Sequence, residues 1–259
     1  MTRFCTFASG SGGNAALVSS GDTHILIDMG ISCRRICQSL KQFGLMPEDL
    51  SAILITHEHG DHISGLATYI KKYTTPIYTT SPTARQLIYR FAGIEPLIRC
   101  AEWGETHEIG SVRIKVLASS HDCAGSCAFR IDTTGGTIGY LTDTGFIPGE
   151  TAASLMGAKL LVLESNHDVE MVRSGPYPYP LKKRVLGMQG HLSNEVAATF
   201  AVDSVRAGTQ AILLAHLSRE NNTPQVALNT IEPWLAAADF DGRLSVAPAD
   251  RMSEIFEMG

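Results

Sequence analysis

Residues 55–65 read Ile-Thr-His-Glu-His-Gly-Asp-His-Ile-Ser-Gly, so three of the nine histidines and two carboxylates fall within six consecutive positions, directly after an aliphatic run. Burying such a cluster unpaired would cost several kcal/mol (~2–7 per polar group), and a solvated loop has no use for so many imidazoles. The cluster therefore constrains the fold to one that ends an apolar strand at a metal site.

The rest of the chain can support such a fold. Its 259 residues suit one large α/β domain spanning 1–259, and 44% hydrophobic against 18% charged residues supply a core. A net charge of −5 argues against a general nucleic-acid coat but leaves room for locally basic surfaces. The six cysteines, Cys5, Cys33, Cys37, Cys100, Cys123 and Cys127, form no CxxC pair and read as free thiols. No apolar run reaches membrane-spanning length, and no apolar segment precedes a cleavage site. The expectation is a cytoplasmic protein without membrane contact, with no feature specifying an oligomeric state.

Periodicity and turn residues organise the chain. Short strands open it, with a hairpin signal at Gly21-Asp22. Ser32 caps a helix whose apolar positions Cys33, Ile36, Cys37, Leu40 and Phe43 follow the helical period up to Gly44. Further helices open at Ser81-Pro82, Ser193 and Thr223-Pro224. Later apolar strands end at His121, at Asp143, near His167 and at His216. In α/β architectures ligands gather beyond the C-terminal ends of strands, so these residues are expected to share one edge with the cluster.

Spacing then divides the donors. His57 and His59, two apart, reach one ion from the same side, while Asp61 and His62 turn toward a second. A ligand bridging two ions must be a carboxylate, because imidazole offers one lone pair per ion. Asp143 is the candidate bridge, His121 completes the first ion and His216 the second. Two ions so placed clamp the attacking and leaving oxygens of a displacement. The donor set suits Zn, Mn or Fe. His24 and His107 read as ordinary strand and loop residues, Glu58 as solvated or helix-capping, and His167 and Asp168 as candidates to line the site.

H-x-H-x-D-H followed by separate His, Asp and His resembles the metallo-β-lactamase-fold hydrolases, over Leu26 to His216. The resemblance implies a four-layer αββα sandwich. It also implies that His57, His59, His121 and Asp143 bind one ion and that Asp61, His62, Asp143 and His216 bind the other, with Asp28 orienting a ligand histidine. Lactamases with two zinc ions use a cysteine where this chain offers Asp143. Glyoxalase-type thioesterases share the bridging aspartate and need a different discriminator.

That discriminator lies in residues 176–195. Lys182, Lys183 and Arg184 follow Tyr177 and Tyr179 in what reads as a basic loop leading to His191 at a helix start. Cations neutralise a phosphate backbone, tyrosines stack on bases, and helix N-terminal amides bind anions. Gly190-His-Leu-Ser looks like the extra histidine motif of the phosphodiesterase branch, which would make His191 a stabiliser of the scissile phosphate and general acid. The glycine-rich turn carrying Ser11 could add backbone donors.

The succession "FASGSGGNA", "LIDMG", "THEHGDHISG", "LTDTG", "LLVLESNHD", "GPYPYPLKKRVLG", "GHLSNE" and "AHLSRENNTP" resembles the YycJ/WalJ group of bacterial single-domain nucleases over nearly the whole chain. What this implies is a DNA exonuclease acting 5′ to 3′ through a hydroxide held between two metal ions, linked to DNA repair. Asp61 would accept a proton from the attacking water, and the basic residues would hold the strand without reading its sequence. The alternatives are a phosphodiesterase of small molecules or of RNA, of the tRNA 3′-end type, and further off a glyoxalase-type thioesterase.

Overall fold

The computed structural model describes residues 1–259. In chain order the elements begin with strands β1 (Thr2–Ala8), β2 (Ala15–Ser20) and β3 (Thr23–Ile27), then helix α1 (Cys33–Gln42) and strand β4 (Ala52–Leu54). Two short helices, α2 (Gly60–Ile63) and α3 (Leu66–Tyr69), precede β5 (Ile77–Thr79), α4 (Ser81–Arg90), β6 (Ile98–Cys100) and β7 (Thr106–Ile109). Then come β8 (Val112–Ala118), β9 (Cys127–Thr133), β10 (Gly136–Leu141), α5 (Gly149–Leu155) and β11 (Leu160–Glu164). The chain continues through α6 (Val169–Ser174), α7 (Tyr179–Val185), α8 (Asn194–Arg206) and β12 (Ala211–Ala215), ending with α9 (Pro224–Ala236), β13 (Arg243–Val246) and β14 (Phe256–Met258).

The strands form two seven-stranded sheets, ordered β14-β1-β2-β3-β4-β5-β6 and β13-β12-β11-β10-β9-β8-β7. Alternation along each strand decides which layer a side chain enters. In β3, Ile25 and Ile27 face the space between the sheets while Leu26 faces outward; in β11, Leu160 and Val162 face inward while Leu161 and Leu163 face outward. Both faces are buried, which is why these strands read as unbroken aliphatic runs. The outer faces are covered by α1 with Ile36 and Leu40 on the first sheet, and by α8 and α9 with Ala201, Ile231 and Leu235 on the second. Each fully buried aliphatic side chain contributes about 2 kcal/mol. The result is the four-layer αββα sandwich.

The local signals produce the expected starts. Ser32, Ser193 and Thr223 each accept a hydrogen bond from the backbone N–H three residues on, capping α1, α8 and α9. Ser20 pairs with Thr23 across the Gly21-Asp22 turn. Two segments differ from expectation. His107 lies in β7, paired with Ile114 of β8, rather than in a loop. The basic segment is helical from Tyr179 to Val185, because Pro180 presets the first turn and good helix formers follow it.

Register brings the strand ends together. β3 and β4 run parallel with Ile25 opposite Ala52, and β10, β11 and β12 run parallel with Ile138 opposite Leu160 and Glu164 opposite Ala215. At this edge three loops interlock through their backbones. Asn14 N–H donates to the Asp61 carbonyl, and Gly30 N–H donates to the Asn14 carbonyl, both at 2.7 Å. A Cβ on Gly30 would lie 1.6 Å from the Asp61 carbonyl oxygen. Gly30→Ala is therefore expected to cost about 3 kcal/mol or more and to displace the Asp61 turn. An unchanged denaturation midpoint would refute this fit.

Candidate metal centre

Three of the four non-glycine residues with left-handed backbone stand at this edge: Asp28 (φ 58°), Asp143 (φ 55°) and His216 (φ 56°). Asp28 and His216 directly follow β3 and β12, and Asp143 comes two residues after β10. The conformation turns the chain sharply away from the sheet, at a strain of about 1–3 kcal/mol per residue that surrounding contacts must offset. His57 and His59 follow the end of β4, His59 in extended backbone, and α2 begins at Gly60, so Asp61 and His62 lie on its first turn with the His62 ring 4.1 Å from that of His57.

The donors converge in two trios. His57, His59 and His121 each offer a ligand atom within 4.8 Å of the others, as do Asp61, His62 and His216. Asp143 lies between: its Oδ2 is 3.2 Å from His62 Nε2, and its Oδ1 is 3.7 Å from His121 Nε2 and 3.5 Å from His216 Nδ1. Behind the trios, the far nitrogen of most rings is anchored. His62 Nδ1 meets Asp28 Oδ2 at 2.8 Å, His57 Nδ1 meets Thr56 Oγ1 at 3.0 Å, and His121 Nδ1 donates to the Gly190 carbonyl at 3.1 Å. Asp28 is wholly buried and is itself held by the Thr56 N–H and hydroxyl.

Apart from His62 Nε2, which Asn14 Nδ2 approaches at 3.0 Å, the nitrogens that face the centre are left largely unspent. His57 Nε2 is buried without a hydrogen-bond partner, His216 Nε2 has only Asp61 Oδ2 at 3.5 Å, Asp143 Oδ2 faces only His62 Nε2 at 3.2 Å, and His59 Nδ1 and His121 Nε2 confront each other at 3.2 Å. A protein does not aim buried lone pairs at one another without a cation to receive them. The donors thus fit divalent ions, in chemistry and in arrangement. Burial opposes ionisation of Asp143, but the neighbouring His216 and His62 imidazoles hold its carboxyl well below the usual range, so an anion stands between the trios. Burial and the His62 charge hold His57 well below the usual imidazole range, keeping its lone pair available.

A further residue, Glu164, holds two imidazoles at the centre although no motif contains it as a ligand. It ends β11, is fully buried, and its Oε1 lies 2.7 Å from His191 Nδ1 and 3.0 Å from His216 Nδ1. Its Oε2 accepts the Thr144 and Leu192 N–H groups. Burial opposes ionisation, yet the His191 charge and the hydrogen bonds from both imidazoles hold its carboxyl down to about 2. One carboxylate therefore sets the orientation of His216 and of His191. Glu164→Gln, which presents an amide where two imidazoles donate, is expected to reduce ion affinity or activity about 10–100-fold. Unaltered ion content together with unaltered turnover would count against this role.

Over the trios opens a cleft of about 240 Å³ lined by Ser11, Tyr177, Arg184, His191 and Ser218 among others. Of the other basic and aromatic candidates, Lys182 donates to the Arg173 carbonyl, Lys183 is exposed and Tyr179 is 78% exposed, and none of them lines the cleft. Arg184 forms a bidentate pair with Asp122, whose Oδ1 stands 3.5 Å from His121 Nε2. Asn166 lines the cleft and donates to the His216 carbonyl. His167 is buried outside it, with burial lowering its imidazole to about 4, and Asp168 caps α6. Glu58 is half-buried and caps no helix; it accepts the Ala124 N–H and ties down the loop after His121.

Comparison with known proteins places the chain in a family. The family described as "Beta-lactamase superfamily domain" matches residues 23–217. Exodeoxyribonuclease YycJ of Bacillus anthracis is 34% identical over 239 residues, 92% of this chain and 90% of its own. Exodeoxyribonuclease WalJ of Streptococcus pneumoniae serotype 2 is 35% identical over 240 residues, 92% of this chain and 89% of its own. Among solved structures, the metallo-β-lactamase fold protein YhfI from Bacillus subtilis superposes with a TM-score of 0.75 at 19% identity, covering 98% of this chain and 100% of that one.

Proposed function

The chain belongs to the β-lactamase superfamily with the metallo-β-lactamase fold, and on that premise we propose that it is a metal-dependent exonuclease that digests DNA from the 5′ end. The observation that carries the reading is the pairing of two donor trios around Asp143 with His191 held over them by Glu164. The similarity over most of the chain to proteins named exodeoxyribonucleases supports DNA as the substrate.

Ions bound at the two trios, in our reading two of Zn, Mn or Fe, supply Lewis acidity and lower the pKa of an attacking water. The protein's own groups do the rest. His191 gives its Nδ1–H to Glu164, so its Nε2 is the nitrogen left for the substrate, where it donates to a phosphate oxygen and then protonates the leaving oxygen. Asp61, 25% exposed and beside His62 and His216, ligates and takes the proton of the attacking water. Arg184, fixed by Asp122, keeps further N–H donors for the strand at the cleft mouth. Tyr177 and Ser11 complete the walls. Six free cysteines are consistent with a reducing compartment such as the cytoplasm, and no helix is long and apolar enough to cross a membrane.

The test is digestion of linear duplex DNA labelled at its 5′ or its 3′ ends. Early release of the 5′ label as short products, with the 3′ label retained in long strands, is the expected outcome. Brisk turnover of a small phosphodiester without any release from DNA would overturn the assignment of substrate while leaving the metal chemistry in place.

A further inference from the structure

Beside the cleft, and sharing Ser218 with it, lies a second pocket of about 380 Å³. It begins one residue past His216, and its wall includes Ser9, whose hydroxyl accepts the His216 N–H at 2.9 Å. Two guanidinium groups, Arg219 and Arg251, line it together with the apolar residues Pro224, Val246 and Pro248. Like Arg34, Arg85 and Arg206, Arg219 and Arg251 are exposed and have no carboxylate partner, but they alone of these line a pocket beside the centre. Arg219 also lies against the turn that forms the neighbouring wall of the cleft, since a Cβ on Gly12 would fall 2.1 Å from its Nη2.

An unpaired cation at the rim of an apolar pocket has the chemistry of a nucleotide site. Arginine takes phosphate oxygens in a fork, a flat apolar floor takes the face of a base, and the volume is within the range that holds a small ligand. We propose that this pocket binds the nucleotide next to the scissile bond, with its base over Pro224, Val246 and Pro248 and its phosphate on Arg219 and Arg251. The strand then crosses the Ser218 wall between the two cavities. This assignment rests on the phosphodiester reading above, and it makes the site an oligonucleotide binder rather than a site for one isolated phosphodiester.

The holoprotein is titrated with a short phosphorothioate oligothymidylate carrying a 3′ fluorophore, at several salt concentrations, beside an Arg219→Gln/Arg251→Gln double variant and Ala249→Trp, which fills the pocket from its rim. The double variant is expected to bind about ten-fold more weakly or worse, with the slope of log affinity against log salt reduced by about 0.7, the share of one neutralised phosphate on a single strand. Ala249→Trp is expected to weaken binding with the slope unchanged, because it removes no charge. Thermal unfolding midpoints equal to that of the unaltered protein establish that the variants are folded. If the unaltered protein binds the oligonucleotide and both variants match it in affinity and slope, the pocket is not on the path of the strand. If the unaltered protein turns over bis(p-nitrophenyl) phosphate yet does not bind the oligonucleotide, the DNA reading itself falls and the pocket's assignment with it.

Discussion

Replacing Asp143 by asparagine is expected to lower DNA digestion by on the order of 10³-fold or more and to reduce the ion content of the purified protein. Asp143 is the residue whose two oxygens reach toward both trios, at 3.2 Å from His62 Nε2 and 3.7 Å from His121 Nε2. Asparagine has the same shape and tolerates the left-handed backbone at this position, so the fold is retained. What is lost is the charge, and one of the two ion-facing atoms becomes an N–H₂ that cannot ligate. Metal content by emission spectrometry and the rate on DNA should fall together. A variant with full ion content and full rate would mean that Asp143 is a structural residue and that the two trios work independently.

His191→Ala has the next largest expected effect, a fall of about 10²–10⁴-fold in turnover with ion content unchanged. The ring is 18% exposed toward the cleft and its Nδ1 is committed to Glu164, so in our reading it acts on the substrate and holds no ion. The loss should depend on the leaving group. A deoxynucleoside leaving oxygen needs a proton, whereas p-nitrophenolate does not, so the nitrophenyl ester of a nucleotide should be impaired far less than DNA. Equal impairment of both substrates would remove the general-acid role and leave His191 as a stabiliser of phosphate charge alone.

The contrast between His57 and Glu164 explains how much of the centre the sequence carried. The donors at His57, His59, Asp61 and His62 announce themselves because they are contiguous and follow an apolar strand, so local spacing alone groups them. His121, Asp143 and His216 are legible one step further away, through the rule that parallel strands end at a common edge. Glu164 occupies the same kind of strand end, but its role depends on His191 and His216, which meet it only once β11, β12 and the turn before α8 are assembled. A glutamate at the end of the run Leu160-Leu-Val-Leu is the one local signal, since a charge in a buried strand requires partners.

The basic segment shows the opposite failure. Read as a loop, Lys182, Lys183 and Arg184 could all reach one strand of DNA. A helix turns successive residues by about 100°, so α7 presents Leu181, Arg184 and Val185 to the cleft and sends its lysines elsewhere. Meanwhile Arg219 and Arg251, far apart in sequence and each unremarked in composition, meet at one pocket. The layers of the fold were readable for a simpler reason: buried strands and amphipathic helices follow local period, while the direction of a surface side chain depends on the phase of its element.

Where the ions bind decides whether the two trios form one centre. Crystals of the protein as purified should show two anomalous scattering peaks per chain, one among His57, His59 and His121 and the other among Asp61, His62 and His216, with Asp143 touching both. A single peak, or a pair of peaks of which one lies away from Asp143, would contradict the single centre.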